Sequence, residues 1–119
     1  MTPMQDALTG RLRSALADEP AVREMSMFGG RAFMVNEKMV VSAQKDGGLL
    51  VRVDPNRHAD LLCQAGAAQA EMGAGRDMGP GWIAVSSAVL GDDEALSSWV
   101  GIALEHNRIV TGEGRARRS

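Results

Sequence analysis

Apolar side chains recur at helical spacing from the first residues. Met4, Leu8, Leu12, Ala15 and Leu16 fall on one face, with Arg11, Arg13 and Asp18 away from it. Thr2 and Gln5 fit a capping box around Pro3, which suits a first helical position. Pro20 disfavours helical geometry at Glu19, so the helix is predicted to stop there.

The pattern then shortens to segments broken by turn residues, which reads as β structure. The segments are Arg23 to Phe28, Arg31 to Val35, Met39 to Gln44 and Leu49 to Val53. Gly29-Gly30, Asn36-Glu37-Lys38 and Lys45-Asp46-Gly47-Gly48 separate them. The gaps are too short for crossover helices, so the pairing should be antiparallel. Asp54-Pro55 opens a second helix, with His58, Leu61, Leu62 and Ala65 inward and Gly66 as its stop. Gln69 to Met72 and Trp82 to Ser86 read as two further strands around a glycine-rich loop, Gly73 to Gly81. The final helix starts at Gly91-Asp92-Asp93-Glu94, where acidic residues complement its positive end. Leu96, Trp99, Val100, Ala103, Leu104 and Asn107 share its inner face.

The predicted class is α+β, a two-layer sandwich of order α-β-β-β-α-β-β-α. That order has a five-stranded antiparallel sheet, one strand fewer than the short segments above. Three amphipathic helices must each bury a face, which places them together on one side of the sheet. The opposite sheet face is then polar or covered by a second chain, so a homodimer or another protein partner is expected.

Composition narrows the possibilities. With 119 residues, 45% hydrophobic and 24% charged, the chain suits one globular domain. Aromatics are few, and eight Met residues supply some of the missing bulk. The net charge of −2 argues against autonomous nucleic-acid binding, which phosphate neutralisation usually drives. A lone cysteine, Cys63, leaves no internal disulfide. No apolar run approaches the ~20 residues of a membrane helix, and the N-terminus lacks a signal-peptide pattern. No membrane association and a cytoplasmic location are expected.

Three stretches together resemble a known family. They are Met27-Phe28-Gly29-Gly30 with Ala32-Phe33-Met34-Val35-Asn36, Asp46 to Val53 followed by Pro55 and His58, and Gly81-Trp82 with Asp92 to Val100. They resemble the N-terminal domain of the TfoX/Sxy family, bacterial proteins linked to regulation of natural competence. The resemblance runs over roughly residues 4 to 108. It implies a two-layer antiparallel fold of the secretion-chaperone-like type. It supplies no established catalytic set and no cofactor. Members acting in competence carry a second, C-terminal domain, so a stand-alone form is expected here. The expected division is a domain over 1–110 and a flexible basic tail over 111–119. Relatives commonly have Asn-Gly where this chain reads Asn36-Glu37.

Candidate chemistry is sparse. Gly29, Gly30 and Arg31 could admit a ligand close to the backbone and hold its carboxylate or phosphate; a tight turn explains the glycines as well. Arg52 interrupts an apolar strand and could join Arg31 in an anion-binding patch, or be an ordinary solvated strand residue. Arg76 and Met78 could gate a groove beside Trp82, although Gly73 to Gly81 lacks a P-loop signature. His58 and His106 have no ligand-spaced partners, so no metal is expected. Cys63 and Ser86-Ser87 lack the neighbours of a nucleophile. Trp82 and Trp99 read as core anchors. Arg115, Arg117 and Arg118 could touch nucleic acid weakly. The leading expectation is a non-enzymatic regulatory or adaptor domain acting through protein contacts, with anionic-ligand binding as the alternative.

Overall fold

The computed structural model describes residues 3–19, 21–27, 30–71 and 76–111. Helix α1 spans Pro3–Ala15 and is followed by β1 (Val22–Met27), β2 (Gly30–Val35), β3 (Lys38–Ala43) and β4 (Leu49–Arg52). A 3-10 turn (Pro55–Arg57) leads into the one-turn helix α2 (His58–Leu61). Then come β5 (Ala67–Gln69), β6 (Trp82–Val85), the short α3 (Ser87–Leu90) and the long α4 (Asp93–Thr111).

The strands form one antiparallel sheet of six, in spatial order β1-β2-β3-β4-β6-β5. The α+β class and the antiparallel pairing are as expected, with six strands rather than five and one short helix more than the expected three among the described residues. The segments on either side of Gly29-Gly30 are separate strands, paired from Val22↔Val35 to Met27↔Gly30. Each inner strand edge therefore finds a partner for its backbone groups. The extra helix, α3, starts at Ser86, whose Oγ accepts from the N–H of Ala88 at 3.1 Å.

Register sorts the side chains. Phe33, Val41, Val51 and Ile83 stand in one row across β2, β3, β4 and β6, and Ala43, Leu49 and Val85 in the next. These rows join Leu8, Leu12 and Leu16 of α1 and Leu96, Trp99, Val100 and Ala103 of α4 in a single core. The helices lie side by side on this face. Arg11 pairs with Asp93 at one end of them and Arg108 with Glu19 at the other.

The stripe of α1 is rotated from its sequence reading. Met4 is 53% exposed, while Gln5 and Thr9 are buried. Gln5 Nε2 donates to Ala43 O at 2.9 Å and Thr9 Oγ1 donates to Gln5 O at 2.7 Å. Satisfied polar groups can occupy positions that an apolar count assigns to the surface.

A second row crosses all six strands on the other side of the pleat: Met25, Ala32, Ser42, Leu50, Ala84 and Ala68. Only Ser42 in that row is polar.

The β3–β4 ladder pairs Ala43 to Val41 with Leu49 to Val51 and stops. The β2–β3 ladder continues to Lys38, and the β4–β6 ladder to Arg52↔Trp82. A register shift in β2–β3 falls between Phe33 and Met34, where Val40 is the extra residue of β3. Such a bulge bends and twists its strand. The first residues of β3 thus diverge from the end of β4.

Candidate functional site

The divergence of β3 from β4 opens a cleft of about 280 Å³ at that end of the sheet. Lys38 and Met39 line it from β3, Arg52 and Trp82 from the β4–β6 ladder. Ala103, His106 and Val110 line it from α4. A second hollow of about 350 Å³, between α3 and α4, has Asp92 as its one charged lining residue. Convergent polar groups, more than volume, mark a ligand site, so the cleft is the stronger candidate.

The charges around the cleft differ from those elsewhere. Arg11, Arg13, Arg23, Arg31, Arg57 and Arg108 each pair with a carboxylate. Among the described arginines this leaves Arg52 and the exposed Arg76 outside any ion pair. Arg52 is half-buried, and its guanidinium carbon lies 4.6 Å from the Trp82 ring centroid. Stacking holds the guanidinium by one face and leaves its in-plane N–H donors free. Lys38, at the mouth, also makes no ion pair with a described carboxylate.

His106 is only 8% exposed, and neither ring nitrogen has a hydrogen-bond partner among the described residues. Burial and the positive charge of Arg52 hold its pKa below the usual histidine value, while Asp54 pulls the other way. The Asp54 carboxylate caps the 3-10 turn by accepting from Asn56 N at 2.9 Å. A buried polar ring without partners is costly.

The residues expected to form a patch are not brought together. Arg31 stands in the row of Ala43 and Leu49, two strands away from β4, while Arg52 alternates to the other side of the pleat. Arg31 is committed to its own corner. Its Nε lies 2.7 Å from Glu24 Oε2, out of line for a hydrogen bond, and its Nη1 donates to Ser26 Oγ at 3.1 Å. The same Glu24 accepts both arms of Arg13, at 2.8 and 2.7 Å. Gly30 is needed for packing: a Cβ there would stand 2.6 Å from Ser42 Oγ. Arg76 does not line the cleft. Gly29 lies outside the described residues, as do Gly73 and Gly75 of the loop and Arg115, Arg117 and Arg118 of the tail.

His58 is a packing residue with a defined role. Its Nδ1 accepts from Gly81 N at 2.9 Å, so Nε2 is the nitrogen left to donate to Gln69 Oε1, 2.6 Å away. Gln69 in turn donates to Gly79 O at 3.1 Å. This chain of bonds fixes the start of β6 and therefore Trp82. Trp99 is a core anchor as expected, but Trp82 is half-buried in the cleft wall. Among the described residues, no group of three or more His, Cys, Asp or Glu is placed to hold a metal ion. Cys63 is exposed.

Besides Lys38, sequence reading passed over His106 as a site. Its signal was available: it sits three residues after Ala103 and one before Asn107, on the inner helical face.

Fold and site together define a small two-layer α+β domain with one cationic cleft and no assembled catalytic set among the described residues. The family model of the TfoX N-terminal domain matches residues 14–107, and the chain belongs to that family. No curated protein matches the chain. None of the described helices is long and apolar enough to cross a membrane.

Proposed function

We propose that the chain is a non-enzymatic regulatory or adaptor domain that works through protein contacts, in the first instance with a second copy of itself. One observation carries this reading. The sheet row opposite the core runs Met25, Ala32, Ser42, Leu50, Ala84, Ala68 across all six strands. Ala32, Ser42, Ala84 and Ala68 give it mostly small side chains, and the helices that complete the core pack on the other side. Ala32, Ser42 and Leu50 at the middle of the row are buried within the single chain, Met25 and Ala84 are half-buried, and Ala68 is exposed, so the accessible part of the row lies toward its two ends. Flat apolar sheet faces pack at about 10 Å from a second sheet, and small residues permit that approach. The regulatory setting is an expectation of the family, and the cytoplasm is its natural place.

Nucleic-acid binding is less favoured. Six described arginines are neutralised by carboxylates, which leaves little basic surface for phosphates.

Light scattering on the eluting chain tests the self-association. The expected mass is twice the 12.6 kDa of one chain at the highest concentrations, falling on dilution. A constant monomer mass up to ~1 mM, where even a weak ~4 kcal/mol association would register, contradicts it.

A further inference from the structure

We propose that the cleft between β3 and the β4–β6 ladder binds a small organic anion, a carboxylate or phosphate monoester carrying a compact apolar group. This goes beyond the protein-contact reading and does not depend on it.

Three independent features meet there. The first is unpaired charge. Lys38 and Arg52 are the two cleft cations, and neither pairs with a described carboxylate. A half-buried guanidinium that makes no ion pair, with Asp54 the carboxylate acting on the same cleft at longer range, is an unfavourable arrangement that a bound anion would relieve. The second is preorganisation. Trp82 holds the Arg52 guanidinium by its face at 4.6 Å, which leaves the fork edge for the two oxygens of one anionic group. The adjoining backbone is shaped for this. Gly81 has φ +94, and a Cβ there would meet Val53 O at 3.0 Å and Arg52 Nη1 at 3.3 Å. The third is His106, nine-tenths buried in the cleft wall with both ring nitrogens unpartnered among the described residues.

The remaining lining sets the ligand's size and body. Met39, Ala103 and Val110 are apolar, and Val110 is 47% exposed. Ligand sites for drug-sized molecules hold about 300–1,000 Å³, and the cleft's 280 Å³ falls just below that range. A single-ring acid fits this volume and a dinucleotide does not. Bulk on the apolar end would extend past Val110.

The test uses phenyl phosphate, benzoate, inorganic phosphate and neutral benzyl alcohol as probes against the full chain, followed by thermal shift and titration calorimetry. Phenyl phosphate and benzoate are expected to raise the melting temperature saturably, with affinity at least tenfold above inorganic phosphate and benzyl alcohol. Arg52→Gln is expected to weaken binding at least tenfold and Lys38→Gln about threefold. Arg31→Gln, at the Glu24 corner, should leave it unchanged. Lys38 is exposed and its replacement does not threaten the fold, and circular dichroism verifies the fold of Arg52→Gln. No saturable response to either aromatic acid at 10 mM, on the order of the weakest specific binding worth counting, overturns the proposal. So does binding that survives both Arg52→Gln and Lys38→Gln. Equal affinity for inorganic phosphate overturns the apolar part.

Discussion

At the scale of single residues, the sharpest local conflict is in the β2–β3 turn. Asn36 and Glu37 both take positive φ, 53° and 67°. That is the geometry of a two-residue hairpin turn matched to strand twist. Asn tolerates it because its short polar side chain can hydrogen-bond to nearby backbone, whereas the longer Glu gains no such compensation. The Glu37 carboxylate meets Arg23 at 2.6 Å, but both side chains are well exposed, so the pair contributes little. Glu37→Gly should therefore stabilise the domain by about 0.5–1 kcal/mol and raise Tm by roughly 2–6 °C. A fall in Tm would show that the ion pair outweighs the backbone strain.

His106 makes a second residue-scale prediction. Its imidazole is held neutral in the fold by burial first and by Arg52 next. The unfolded chain takes up the proton more readily, so stability falls as pH drops below the ordinary histidine value of 6.5. His106→Leu removes that linkage and two unpartnered buried nitrogens. Urea midpoints at pH 7.5 and 5.5 should differ less for the variant than for the wild type. An unchanged difference would place the linkage elsewhere.

At the scale of elements, two side chains tie helices to the sheet. Glu24 on β1 binds Arg13 of α1 and Arg31 of β2, and its pKa is lowered chiefly by the hydrogen bonds from Arg13, against the effect of burial. A depressed carboxylate stabilises above its unfolded pKa, here 4.5, and loses that contribution as pH falls through its folded value. Glu24→Gln should flatten the acid limb of the stability curve below pH 4.5; an acid limb identical to wild type would mean the corner is energetically silent. His58 joins α2, β5 and the start of β6 through Gln69 and Gly81. His58→Phe leaves the buried Gly81 N–H without its acceptor, which costs about 1–3 kcal/mol. Chemical denaturation measures it, and a loss under about 0.5 kcal/mol would show that water replaces the imidazole.

The elements themselves were largely legible in the sequence. Alternation and turn residues locate β1 through β4 within a residue or two, and Asp54-Pro55 marks the turn into α2. Three things were not. β5 lies at Ala67–Gln69, earlier in the chain than the expected Gln69 to Met72. The one-turn α3 is too short to show a period, and only the Ser86 cap announces it. The cleft was hidden because it depends on register. Nothing in the order of residues shows that Val40 is extra in β3 or that the β3–β4 ladder stops at Val41. Arg52 drew notice as a break in an apolar strand, but its neighbours Lys38, Trp82 and His106 come from three other segments. Arg31 drew notice beside Gly30, and its neighbour Glu24 across the hairpin neutralises it.

At the scale of the whole molecule, one sheet serves two faces with different chemistry. The helix side buries the core rows, and its polar contacts are closed by ion pairs around the rim. The far side carries a mostly apolar row in which Ala32, Ser42 and Leu50 are already buried and Met25, Ala84 and Ala68 are accessible. Sheet-on-sheet contact through that row predicts a symmetric pair, with Ala84 one strand in from the β5 edge. The cationic cleft lies at one end of the sheet, where β3 and β4 part, so ligand and partner need not compete.

A charge placed in that row separates this account from its rivals. Ala84 lies in the far row and Ala88 is exposed in α3 on the helix side. Light scattering of Ala84→Arg beside Ala88→Arg tests it directly. The account predicts that Ala84→Arg is monomeric at concentrations where the wild type and Ala88→Arg have twice the 12.6 kDa mass. A folded Ala84→Arg variant with the same mass as the wild type would contradict it.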